Sequence, residues 1–444
     1  MDLIGLIPQF GNLIWTIAAF VVALSVIVAI HEYGHYIVGR WSGIHAEVFS
    51  LGFGPRLASW RDRRGTLWQI SALPLGGYVK FLGDADPASA GKDGAMEAMD
   101  AETLRKTMHA APLWARAATV AAGPVFNFLL SIALFTGVIL WQGQASDPLT
   151  IDTLRPLPPQ VQSLEPGDEL LEINGAAVPE LAGFDSFVST LPRAPVLDYT
   201  VLRDGSQVEA RGPFPYPPLV SSVSPKSAAM DAGIEPGDYI LSVAGTAISS
   251  FDDLRSAVSQ SQGAPLQLGI WRDGRSFPVE LAPRQTDMPT ADGGFETRYL
   301  IGVTGGLFFE PVTEMPGPLA AIVMGAGQVW FIIEQSLSGL WHMITGAISS
   351  CNLSGPIGIA ETSGAAASQG PASFIWFLGV LSTAVGLMNL FPIPVLDGGH
   401  LVFFGYEAVA GRPPSDRALR ALMAGGLTLI LGMMVFAISN DLFC

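Results

Sequence analysis

Five residues carry the strongest chemical signal in this sequence, the run HEYGH from His31 to His35. On a helix, residues four apart share a face, so the imidazoles of His31 and His35 can grip one metal ion. Glu32, next to the first imidazole, is placed to act as general base toward an attacking water. This is the working logic of H-E-x-x-H zinc proteases. On a solvated helix the same pattern would be an ordinary polar face. Here it follows ALSVIVAI (23–30), an apolar run with the character of a membrane span. An ionisable group near the centre of a membrane helix costs at least about 2.5 kcal/mol, and such groups mark function unless shown otherwise. Three of them together need a partner, and a metal ion supplies one.

A catalytic zinc site takes three protein ligands, so two histidines leave one position open. Glu334, Glu361, Asp397 and His400 are the candidates in apolar surroundings. Asp397 is favoured by its context, NLFPIPVLDGGH (389–400), where Pro392 and Pro394 interrupt helical hydrogen bonding and Gly398 and Gly399 follow. Irregular backbone at membrane depth is tolerated only where it is buried in protein or lines a cavity.

The elements that must position these groups are apolar and long. Hydrophobic residues make up 49% of the 444 residues, charged residues only 14%, and mean hydropathy is +0.41. A soluble chain of this size carries about 25% charged residues, so membrane spans are expected. The net charge of -16 argues against nucleic-acid binding, which depends on Lys and Arg neutralising phosphates. Two cysteines, Cys351 and Cys444, cannot build a disulfide framework or a four-cysteine zinc site.

Four spans are expected, over 13–38, 113–142, 374–409 and 418–438. The first has no Lys or Arg ahead of Arg40 and no small-residue cleavage site behind it, so it reads as a retained span. Ten basic and eight acidic residues lie between Arg40 and Arg116, whereas ten basic and 23 acidic residues lie between Trp141 and Pro316. The positive-inside rule puts the first segment in the cytoplasm and the second outside. No Lys or Arg occurs between Arg298 and Arg412. A crossing over 319–348 would therefore leave an uncharged cytoplasmic loop, and this stretch is expected to be an amphipathic helix within a post-repeat region, 286–373. Spans one and three then run the same way, with both candidate metal motifs in their inner halves.

The outer segment contains a duplication. EPGDELLEINGAAV (165–178) recurs as EPGDYILSVAGTAI (235–248), and VLRDG (201–205) recurs as IWRDG (270–274). FDSFVSTL (184–191) parallels FDDLRSAV (251–258) between them. Two copies of about 70 residues mean tandem domains rather than a solenoid. They are expected over 144–213 and 214–285. Each resembles a PDZ domain of the bacterial protease-associated kind, a module that adds an extended peptide to a sheet edge.

HExxH in the first span, tandem PDZ-like copies and N-x-x-P-x-P-x-L-D-G near the C-terminus together resemble the site-2 protease family (M50), in particular the RseP-type bacterial intramembrane zinc metalloproteases. The blocks LGFGP (51–55), ALPLGGYVKFLGD (72–84), VAAGPVFNF (120–128) and NLSGPIGIA (352–360) extend the likeness over nearly the whole chain. The resemblance implies a polytopic α-helical membrane protein of four transmembrane helices. A membrane-associated β segment (41–85), a cytoplasmic linker (86–112) and two tandem PDZ domains on the outer side complete it. It implies Zn2+ held by His31, His35 and Asp397, with Glu32 as the catalytic base. Asn389 and Pro392 match family positions on the substrate side of the site, and Gly76 and Gly77 lie in the segment thought to hold the substrate strand. Asn127 reads as a packing residue between spans. The implied setting is the bacterial inner membrane, with the repeats in the periplasm and the active site toward the cytoplasm. The implied partners are membrane lipid and single-pass substrates such as an anti-sigma factor or signal-peptide remnants, after an upstream site-1 protease has cut. A vestigial adaptor would have lost a ligand or Glu32, and neither is lost. A metal transporter would not need a general base beside the ligands.

Overall fold

A computed structural model describes residues 7–84, 99–159, 162–224, 226–290 and 294–443. The chain forms two compact units. One joins the N-terminal part up to Val138 with Gly317–Trp341 and Ser350–Cys444; the other comprises Ile139–Pro316 and His342–Ser349.

The first unit is built from long apolar helices: α1 (Ile7–Trp41), α2 (Leu113–Gln142), α3 (Pro318–Ile344), α4 (Pro356–Ser368), α5 (Pro371–Asn389), α6 (Asp397–Ala410) and α7 (Asp416–Phe443). Among the described residues five helices, α1, α2, α3, α5 and α7, are long and apolar enough to cross a membrane. They expose apolar side chains such as Val22, Leu129, Val435 and Phe436, while Thr119, Asn127, Ser131, Ser382 and Thr383 are fully buried between them. That distribution suits a lipid surround, where small and polar residues join helices instead of covering them. Ser131 Oγ donates to the Gly379 carbonyl (2.9 Å) and Ser382 Oγ to the Asn127 carbonyl (2.9 Å), tying α2 to α5.

The expected third span, 374–409, is not one helix. Residues 390–396 separate α5 from α6, because Pro392 and Pro394 offer no N–H and their rings clash with the preceding turn. The amphipathic stretch expected over 319–348 is the 27-residue helix α3. Helix α4 is capped from outside its own sequence. Asp441 near the end of α7 accepts the N–H groups of Gly355 (2.9 Å), Ile357 (3.0 Å) and Gly358 (3.1 Å), the orphan donors of a helix start.

Between α1 and α2 lies a hairpin of β1 (Ala46–Arg61) and β2 (Leu67–Phe81), paired antiparallel with an irregular register. Asp62 organises its turn and anchors it to α1. Its carboxylate accepts from Arg64 N (2.8 Å), Thr66 N (2.9 Å), Trp68 Nε1 (3.1 Å) and the Tyr36 hydroxyl (3.2 Å). The last residue of the expected β segment, 85, and part of the expected linker, residues 86–98, lie outside the described residues. Its remainder packs onto the hairpin, with Met108 and Ala111 in one core with Tyr36, Ile44, Phe49, Val79 and Phe81.

The second unit carries the duplication, and both copies fold alike. The first copy orders its strands Ala176–Ala177, Glu169–Ile173, Leu197–Arg203, Ser206–Gly212, and the second Thr246–Ala247, Tyr239–Val243, Leu266–Arg272, Arg275–Leu281. One interaction explains why the EPGD and RDG blocks recur together. Asp168 is fully buried, accepts the Glu165 N–H (2.8 Å) and receives a two-pronged bond from Arg203 (2.7 and 2.8 Å). Asp238 repeats this with Glu235 (2.9 Å) and Arg272 (2.5 and 2.7 Å).

The copies do not close at residue 285, as the repeat boundaries imply. Strand Val303–Gly305 pairs with Val220–Val223 of the second copy, and Phe309–Pro311 pairs with Ile151–Leu154 of the first. Ile301 belongs to the second core, and Phe308 and Phe309 belong to the first. The register of the duplication could not reveal this, since these closing strands lie outside the repeated blocks.

Removing Asp168 takes the two-pronged acceptor from Arg203, which keeps Glu165 Oε1 and the Ser163 carbonyl (2.9 Å each), and leaves the Glu165 amide without its partner. Asp168→Ala is expected to destabilise the 139–316 unit by about 3 kcal/mol, the low end for breaking a buried pair because Arg203 keeps partial solvent access. Thermal unfolding of the detergent-solubilised protein, followed by proteolytic cleavage within this unit, measures it.

Candidate metal centre

Helix α1 brings His31 and His35 to one face, and the start of α6 brings Asp397 to meet them. Their ligand-type atoms all lie within 4.8 Å of one another. His31 Nε2 is 3.1 Å from His35 Nε2 and 3.1 Å from Asp397 Oδ2, and His35 Nε2 is 3.5 Å from Asp397 Oδ1. Two imidazole nitrogens and a carboxylate turned toward one point are the donor set of a catalytic zinc site with a position left for substrate. Asp397 Oδ2 is buried and, apart from its 3.1 Å approach to His31 Nε2, meets no hydrogen-bond donor, which suits an oxygen facing a cation. Among the described residues no other group of three such side chains converges.

Helix α2 forms the back wall of this centre, which the sequence reading missed. His35 Nδ1 donates to the Thr119 carbonyl at 2.8 Å, which leaves its Nε2 lone pair facing the cluster. Asn127 reaches His31 Nδ1 at 3.1 Å. Between them, one turn from each, a Cβ on Gly123 would run into the His35 ring and come within 2.8 Å of His31 Cε1. Only glycine lets α2 approach both imidazoles. The signal was present in the sequence as Thr119, Gly123 and Asn127, four residues apart on one helical face, within and just before VAAGPVFNF. Pro124 follows the glycine inside the helix and removes one main-chain donor there.

The segment before Asp397 is held tightly. Val395 has φ of 104°, a region a β-branched side chain enters only under constraint. A Cβ on Gly398 would collide with the Leu390 and Phe391 carbonyls, on Gly399 with that of Ile393, and on Gly426 of α7 with that of Pro394. Further along α6, Glu407 takes a two-pronged bond from Arg116 of α2 (2.6 and 3.1 Å), and the Arg116 guanidinium also lies over Phe404. Asp397 is therefore fixed at both ends of its helix.

Glu32 lies within electrostatic reach of His31, His35 and Asp397 and contacts the Val79 main chain of β2. Gly77, two residues earlier on β2, packs against this face of α1. A Cβ there would sit 2.9 Å from Val28 Cγ1 and 3.1 Å from Glu32 Cγ. Gly76 instead lies under the Phe53 ring. Asn389 turns its amide to the Val385 carbonyl of its own helix (3.0 Å), and Pro392 is exposed. His400 stacks edge-on against Phe403 and stays out of the ligand cluster, as do Glu334 and Glu361.

Residues 19–433 match the model of peptidase family M50. A protein of Rhizobium meliloti named as a zinc metalloprotease is 37% identical over 432 residues, covering 97% of each chain. An Agrobacterium fabrum protein of the same description is 33% identical over 436 residues, again 97% of each. The regulator of sigma-E protease RseP of Salmonella typhimurium is 32% identical over 468 residues, covering 97% of this chain and 99% of its own. With a family match over almost its full length and the donor set in place, this chain belongs to peptidase family M50, the site-2 protease family, and is a multi-pass membrane zinc metalloprotease.

Proposed function

We propose that the chain cleaves single-span membrane proteins within the bilayer, after another protease has shortened them. The observation that carries this reading is the meeting of His31, His35 and Asp397 beside Glu32 among apolar helices. Zinc held there by His31, His35 and Asp397 would polarise a peptide carbonyl and lower the pKa of water enough for it to give up a proton near neutral pH. Glu32 accepts the proton of the attacking water and passes it to the leaving amine. A helical peptide bond is shielded, so the substrate must be extended before cleavage. Strand β2 suits that task. Its sheet has only two strands among the described residues, and Gly77 lets it lie against Glu32, so an extended segment could add along β2 within reach of the base. Asn389 and Pro392, at the start of the break between α5 and α6, would border the same passage.

Contacts inside the first unit support a membrane path of four spans. Thr16 near the start of α1 packs on Gly364 of α4, and Asp441 at the end of α7 caps α4. Arg116 at the start of α2 meets Glu407 near the end of α6. These contacts divide the helix ends into two sets, consistent with α1, α2, α5 with α6, and α7 as the four spans and with both termini outside. Residues His342–Ser349, at and after the end of α3, belong to the second unit. His342 packs on Phe295, and Ser349 N donates to Asp287 (2.8 Å). We read α3 as lying along the outer face on the charge pattern alone, since no Lys or Arg occurs between Arg298 and Arg412. The repeats, as PDZ-type domains in the periplasm, would act as a size gate that excludes uncut ectodomains. The sigma-E role named for the Salmonella relative makes an anti-sigma factor a candidate substrate, and signal-peptide remnants another.

Three outcomes are expected. Glu32→Gln keeps zinc but lowers cleavage of a model single-span substrate by at least about 100-fold, whereas Asp397→Ala loses zinc and activity together. Zinc content measured beside turnover separates the two, and near-normal turnover by Glu32→Gln would sink the base assignment. A single cysteine at 349, in a cysteine-free background, is labelled by a membrane-impermeant maleimide from the same side as one at 205. Labelling from opposite sides would make α3 a fifth span. Deleting residues 144–314, which removes the closing strands as well as both copies, leaves cleavage of a pre-trimmed substrate intact and adds cleavage of its full-length form. A folded, zinc-loaded deletion variant that still refused the full-length form would end the gate idea.

A further inference from the structure

We propose that Asn127 is a positioning residue of the metal centre: its side-chain oxygen accepts a hydrogen bond from His31 Nδ1–H and so fixes the tautomer and ring angle in which His31 offers Nε2 to zinc. This rests on the metal-centre reading above and goes beyond it, because Asn127 is neither a ligand nor the base.

Three observations lead there. Asn127 is fully buried, and the contact between its amide and His31 Nδ1, 3.1 Å, involves the atom placed as nitrogen. Its oxygen is buried with no partner. The two ends of an amide differ in structure only by the hydrogen bonds they make. With the amide nitrogen toward His31, Nδ1 would have to accept, and the ring proton would move to Nε2, the atom 3.1 Å from both His35 Nε2 and Asp397 Oδ2. A proton there blocks ligation. Turning the amide over gives the orphan oxygen the Nδ1 proton and frees Nε2. The choice is decided at His31 rather than at the other end of the amide.

The partner ligand shows the same device. His35 Nδ1 faces the Thr119 carbonyl, which can only accept, so its Nε2 is bare. Thr119 and Asn127 lie eight residues apart on one face of α2, with Gly123 midway. One helix thereby orients both imidazoles, one through a main-chain oxygen and one through a side-chain oxygen. The Asn127 position is itself fixed, since its carbonyl accepts from Ser382 Oγ at 2.9 Å.

The test is zinc affinity, measured by chelator competition on the purified full-length protein, with thermal stability recorded alongside. Asn127→Leu keeps the volume and removes the acceptor, Asn127→Ala removes both, and Asn127→Asp keeps an acceptor in the same place. Zinc binding is expected to weaken about 10- to 100-fold in Asn127→Leu and Asn127→Ala and to stay within about threefold of wild type in Asn127→Asp. A role in helix packing alone would spare zinc affinity in Asn127→Leu and would show as lowered thermal stability instead. Wild-type affinity in either the Leu or the Ala variant, or an Asp variant as weak as Leu, overturns the proposal. Because the readout is zinc rather than cleavage, a failure of the substrate reading would leave this result standing. A wild-type protein that bound no zinc would overturn both.

Discussion

The structure depends on making four ionisable side chains tolerable inside an apolar helix bundle. His31, Glu32 and His35 sit on a helix that is otherwise apolar over several turns, and Asp397 comes from a distant part of the chain to join them. Isolated, each would be expelled toward the membrane surface or neutralised. Together, His31, His35 and Asp397 can share a divalent cation, with Glu32 beside them. Most of the local sequence around them serves that meeting. Gly123 and Gly77 let α2 and β2 come close, Thr119 gives a ring nitrogen its acceptor, and Pro392 with Pro394 breaks the helix so that Asp397 can begin a new one.

The convergence of His31, His35 and Asp397 was legible in the sequence because its signal is local: HEYGH fixes a spacing on one helix, and LDGGH follows two prolines in an apolar run. The break in 374–409 was foreshadowed by those prolines, but its division into two helices was not, since the same residues also suit a kinked single span. The back wall was hidden for a different reason. Gly123 contributes by having no side chain, and Thr119 contributes a main-chain oxygen, so neither has the chemical character that draws attention to a ligand. Asp441 was equally silent as a cap, because its helix lies more than 80 positions away in sequence.

The duplicated unit shows what a repeat can and cannot reveal. The EPGD and RDG blocks mark the buried Asp168–Arg203 and Asp238–Arg272 pairs, which set the turn and strand of each copy in the same relation. A paired signal of this sort survives divergence of the apolar residues around it. The strands that complete the cores lie beyond the second copy and have no counterpart between the copies, so comparing the repeats draws the boundary too early.

That late closure bears on how the protein is made. The strand that completes the first copy, Phe309–Pro311, is synthesised after the whole of the second copy, and the same short stretch of chain closes both. Neither apolar core can be sealed while the ribosome is still making either repeat. Pairing across so large a sequence separation is slow relative to local contacts. Each copy therefore passes through an interval with an unfilled groove and an unpaired strand edge, the condition in which chains associate wrongly. A chain interrupted before Val303 lacks the closing strand of both copies, and one interrupted between Gly305 and Phe309 lacks that of the first alone.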